Sequence, residues 1–139
     1  MRDVLIDALK NRFSSYQDII DTVTDEELGQ KLDVPKHKSM AEHLWCVVGA
    51  RESYAIAIAG GSWAGFSCSL TSFGHADFVT KLASSAKDVI TAIDSVEEWN
   101  EERETMLLSL SEHEVMHEGQ IIRHLYGTEH NIPVSVKWA

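Results

Sequence analysis

His113 and His117 stand four residues apart in a stretch of helical periodicity. At 3.6 residues per turn, that spacing puts them about 40° apart around the axis and ~6 Å apart along it, so both imidazoles can reach one ion. Metal–nitrogen bonds of ~2.0–2.1 Å leave little room for a wider separation. His124 falls near the same stripe but ~10 Å beyond His117, so a third ligand must come from another helix. His43 is the best placed, on a side shared with Met40, Val47 and Tyr54 where an unpaired imidazole would be costly to bury.

Blander readings compete with this one. Histidines spaced i, i+4 also occur on solvated helix faces, but this pair falls on or beside the stripe of Met106, Leu110, Ile121 and Leu125. His43 alone reads as a hydrogen-bonded core histidine and becomes a ligand candidate only together with the pair. His124 reads as structural or pocket-lining. Gln120, one turn past His117, could serve the ion's surroundings or satisfy a buried polar group. Cys46, three residues after His43, could reach the same region, where a thiolate favours zinc, although a small core cysteine is the commoner outcome. Glu112, Glu114 and Glu118 read as the solvated side of their helix. Glu42 is explained by capping. His37, His75 and His130 are expected to sit in water.

His113-Glu114-Val115-Met116-His117 also fits the H-E-x-x-H pattern of zinc proteases, with Glu114 as the activating base. The extended form needs glycine at 120 and histidine at 123, where this chain has Gln120 and Arg123. No strand pattern offers an edge on which a peptide could lie. The protease reading is therefore the weakest of those considered.

The elements that position these residues are helical. Leu5, Leu9, Phe13, Tyr16 and Ile20 mark a first amphipathic helix over 4–23. Thr24 with Glu27 reads as a capping box for a short turn ending near Gly29, and Ser39 with Glu42 as a second box starting a helix to about Gly60. Residues 60–72 form a long loop. A third long helix is expected over 75–96 and a fourth over 102–126, which Gly127 would end as a left-handed cap. The short break between these last two predicts antiparallel neighbours. The tail is expected to be extended, with Trp138 packing back on the helices. One all-α four-helix-bundle domain over 1–139 follows. The loop of roughly thirteen residues, able to span ~40 Å, allows an up-down-down-up order.

The net charge of -10 and the lack of a basic cluster argue against nucleic acid, whose phosphates demand one. No stretch approaches the ~20 apolar residues needed to cross a bilayer. The first thirteen residues do not read as a signal peptide, and two cysteines make no disulfide scaffold. A cytoplasmic location is expected.

His117-Glu118-Gly119-Gln120, with His113 before it and His43 in the second long helix, resembles the DinB/YfiT-like superfamily across nearly the whole chain. The resemblance implies an up-down-down-up bundle, a nickel or zinc ion on His43, His113 and His117, and a homodimer. It also implies either a metal-dependent hydrolase or a thiol S-transferase using a low-molecular-weight thiol, acting on a small molecule. Glu118 departs from the family, which frequently carries arginine there, and reverses the expected charge beside the metal. No residue stands out as acid, base or nucleophile, so a noncatalytic metal-binding or stress-related bundle is the rival reading. The entrance is expected near His43, bordered by Trp63 and Phe66 of the long loop.

Overall fold

The computed structural model describes every residue except Trp138, so the expectation for that side chain lies outside the described residues. Five helices and no strand are found among them: α1 (Arg2–Thr22), α2 (Asp25–Gly29), α3 (Met40–Gly60), α4 (His75–Asp94) and α5 (Glu101–Gly127). None is long and apolar enough to cross a membrane.

Local chemistry sets the helix starts. Thr24 and Glu27 exchange both capping-box bonds, at 2.9 and 3.3 Å, and Ser39 and Glu42 do the same at 2.7 and 3.2 Å. Each box satisfies amides that a helix N-terminus leaves without partners. The Asn100 side chain caps α5 by accepting from the Arg103 amide. At the far end of α3, Gly61 adopts φ 89° and closes the helix in the left-handed conformation that glycine takes without steric cost.

Gly127 does something different from what its position predicts. It lies inside α5, whose C-cap is Thr128 at φ -98°, and the left-handed residue is Glu129 at φ 54°. A Cβ at 127 would stand 2.5 Å from Leu32 Cδ1. Close approach of Leu32, not chain reversal, is what glycine accommodates there, and a larger residue would push that leucine side chain aside.

The apolar stripes bury two clusters. One gathers Tyr16, Ile20, Leu44, Val47, Phe78 and Ile121, and the other gathers Leu9, Phe13, Ile58, Val89, Met106 and Leu110. Tyr54 and Ala86 are only half-buried.

α3 packs against α4 and α5, and α1 also packs against α4 and α5. α4 and α5 are not a closely packed pair, contrary to the expectation from their short connection. Six residues separate them, enough to reach ~20 Å and so to join helices that are not adjacent when packed ones stand 8–10 Å apart. Arg2 pairs with Glu104 and Arg12 with Glu118 along α1 and α5. Along α3 and α5, His43 meets His117 while Arg103 reaches the Ile58 carbonyl.

Residues 61–74 turn back along α3. Ser67 bonds Ser53, and the Cys68 thiol reaches the Trp45 carbonyl. Gly49 makes this possible, because a Cβ there would lie 2.4 Å from Phe66 Cζ.

Candidate metal centre

α3 and α5 bring donor side chains together in two overlapping sets, His43 with His117 and Cys46 with His113 and His117, and His43 lies outside the second set. His43 Nδ1 is 3.1 Å from His117 Nδ1, and Cys46 Sγ is 3.4 Å from His113 Nε2. The His113 and His117 rings lie 4.5 Å apart, centroid to centroid. One donor atom each from Cys46, His113 and His117 falls within 4.8 Å of the others. His43 and His117 are buried, whereas Cys46 and His113 are half-buried.

Burial lowers the pKa of all three imidazoles, to about 4 for His43 and about 3 for His117. They are therefore neutral at pH 7, the form that ligates metal. The Cys46 thiol is pushed up by the same burial. At 3.1 Å, two neutral rings need one Nδ1 to donate and the other to accept, unless a cation faces both lone pairs. Two nitrogens each ~2.0–2.1 Å from a shared ion stand roughly 3 Å apart, so the spacing suits a metal. His113 Nδ1 and His117 Nε2 are buried without a hydrogen-bond partner, and buried polar atoms are rarely left so.

The glutamates on α5 do not face water. Glu114 is fully buried and clamped by Arg51 through two bonds of 2.7 and 2.8 Å. The third arm of Arg51 donates to the Leu82 carbonyl at 3.0 Å, and its guanidinium lies over the rings of Phe13 and Tyr16. A carboxylate held in this way cannot activate water, which removes the protease reading's base. Glu118 is also buried and pairs with Arg12 of α1. Its carboxyl pKa is raised because burial outweighs that pairing. The negative charge expected beside the metal is thus turned toward α1 and countered there.

Two surface pockets adjoin the donors. One, of about 380 Å³, includes His43, Gln120, Lys36, Lys38 and Arg123. The other, of about 410 Å³, includes Cys46, Trp45, Phe73 and again Lys38. Trp63 and Phe66 line neither. They pack instead on Tyr54 and Trp45, further along the loop.

Gln120 is exposed at the first pocket. His124 is buried and stacks on His37, with His37 Nε2 3.0 Å from His124 Nδ1. None of the three histidines expected in water is fully exposed. His37 is held by that stack, His75 donates to the Ile20 carbonyl at 2.7 Å, and His130 lies 3.4 Å from Glu27. Lys36, Lys38 and Arg123 carried no sequence signal, because their loop and helix positions converge only in three dimensions.

The chain superposes on the crystal structure of a DinB-like protein from Bacillus cereus ATCC 10987 with a TM-score of 0.71, covering 93% of each chain at 17% identity. The fold is DinB-like. At that identity the likeness speaks for the DinB-like architecture alone. No protein-family model and no curated relative matches the chain.

Proposed function

We propose that this chain is a metal-dependent enzyme, acting on a small molecule by hydrolysis or thiol transfer at a divalent ion held by His43, His113 and His117. The observation that carries the reading is the approach of neutral imidazoles from α3 and α5, with His43 Nδ1 3.1 Å from His117 Nδ1 and the His113 ring 4.5 Å from that of His117. Nickel or zinc suits such a nitrogen-rich set. Bound there, the ion supplies Lewis acidity for activating water or a thiol. The three histidines hold and orient it, and the two adjoining pockets give a small molecule, or a low-molecular-weight thiol, access.

The scaffold we infer is one four-helix-bundle domain in up-down-down-up order, with α2 as an accessory turn. It is supported by the pairing of Arg2 and Arg12 with successively later residues of α5, and by the loop that runs back along α3 before α4 begins. A cytoplasmic homodimer completes the proposal. Leu108 and Val115, exposed seven residues apart on α5, support pairing of two copies, which sedimentation velocity tests directly.

A second reading places the Cys46 thiolate on the ion in place of His43, supported by the proximity of Cys46 to His113 and His117. Cobalt substitution separates the two. A thiolate ligand adds a sulfur-to-cobalt charge-transfer band, lost in Cys46→Ser, whereas a three-histidine site shows no such band and loses affinity in His43→Ala. Elemental analysis of the purified protein should find about one metal per chain and none in His113→Ala/His117→Ala. Metal-free wild-type protein that takes up no nickel or zinc would overturn both readings. Full loading without turnover of ester, amide or thiol-transfer substrates would leave a noncatalytic metal-binding bundle.

A further inference from the structure

We propose that the pocket over His43 is an anion subsite, in which Lys36, Lys38 and Arg123 hold an acidic oxyanion group, carboxylate or phosphate, of the molecule acted on. The inference rests on the preceding reading for what happens at the ion, but the subsite itself stands on separate residues.

The chain as a whole is acidic, with 22 Asp and Glu against 12 Lys and Arg. The pocket inverts that balance. It is lined by three of the twelve cations and by no Asp or Glu. Elsewhere Lys31 pairs with Glu42 at 3.0 Å, and Lys81 bonds Ser69 beside Glu52. Lys10 and Lys87, which have no side-chain partner among the described residues, stand singly on α1 and α4 and are not gathered in one pocket. Among the described residues, the side chains of Lys36, Lys38 and Arg123 have no hydrogen bond or ion pair. Gathering three like charges without a counterion is unfavourable, and a bound anion relieves it.

The loop that carries the lysines is anchored. His37 stacks on buried His124 with the rings 9° from parallel. Lys36 adopts φ 62°, a left-handed conformation that non-glycine residues rarely adopt. The turn is closed by the His37 amide donating to the Val34 carbonyl. Lys38 lines both pockets that meet the donor set, so an anion held there sits beside His43 in one and Cys46 in the other. Gln120 offers a neutral donor at the same wall. Arg is suited to bidentate grip of a carboxylate or phosphate, and Lys to a point-charge contact.

The test titrates metal-free protein, so that no probe can chelate an ion, with inorganic phosphate in one arm and succinate in the other. Neutral succinamide serves as control, and amide chemical shifts report binding. Saturable binding of at least one anion is expected, with shifts centred on Lys36–Lys38 and Gln120–Arg123. Affinity should fall tenfold or more in Lys38→Gln/Arg123→Gln. Lys10→Gln/Lys87→Gln, which removes the same net charge elsewhere, should leave it unchanged. The proposal fails if neither anion saturates, if succinamide binds equally, or if the two double variants lose affinity alike. Nickel or zinc stoichiometry of Lys38→Gln/Arg123→Gln is measured in parallel. Retained loading with lost anion binding supports the subsite, and failed loading of wild-type protein overturns the metal reading while leaving the anion result to stand alone.

Discussion

One helix carries two opposite treatments of buried polar groups, a single residue apart. Glu114 is sealed from water, yet both its oxygens are engaged by Arg51, whose remaining arm finds the Leu82 carbonyl. His113 and His117 sit on the neighbouring face of α5, and each keeps a buried nitrogen with no partner. The charged pair is thus satisfied by the protein itself, while the neutral rings are not. Burying a charge without its partner is prohibitive, so the fold must supply Arg51. Burying a neutral imidazole costs far less, and the fold can leave it waiting for something from outside.

The comparison breaks most visibly at the charged pair. Glu114→Ala should cost about 3–5 kcal/mol, because Arg51 is left buried and uncompensated. Arg51→Met/Glu114→Leu should recover most of that loss, as read from urea denaturation midpoints. Equal destabilisation by the single and double variants would mean that packing, not charge, makes the contribution.

Acid sharpens the contrast from the other side. The folded-state pKa of His43 is about 4 and that of His117 about 3, against ~6.5 unfolded. Between these values the unfolded chain binds protons that the folded chain refuses. The stability of metal-free protein is therefore complete above about pH 6.5 and is lost progressively as pH falls toward about 3. Thermal midpoints across that range should show the slope, and His43→Leu/His117→Leu should flatten it.

The smallest effect is expected at neutral pH. His43→Leu/His117→Leu replaces both partners of the buried ring–ring contact by apolar side chains, so metal-free stability should change by no more than about 1 kcal/mol. Metal affinity, followed by competition with a chromophoric chelator, should fall in the same variant. A loss comparable to that of Glu114→Ala would erase the distinction between the two faces.

The helices were legible because their signals are local. Stripes repeat within a few turns, and both capping boxes lie within four residues of sequence. The approach of His43 to His117 followed from the same logic, since each sits on the apolar side of its own helix. Glu114 and Glu118 were misread because a helical wheel assigns carboxylates to water, and their partners lie 63 and 106 residues away. A signal did exist: Arg12 falls between Leu9 and Phe13, and Arg51 lies between Val48 and Ile58, each within an apolar stripe. A cation inside such a stripe calls for an anion opposite. Gly127 was misread for a related reason, because the need for close contact with Leu32 leaves no mark in the local sequence.

His43 belongs to the opening turn of α3, and its amide makes one of that helix's earliest bonds, to the Ser39 carbonyl at 3.2 Å. Opening turns are where helices fray. An ion gripping this ring would fasten the turn as well as fill the centre. Amide hydrogen exchange across 40–44 should then slow on loading, turning the helix start into a reporter of occupancy that needs no knowledge of the substrate.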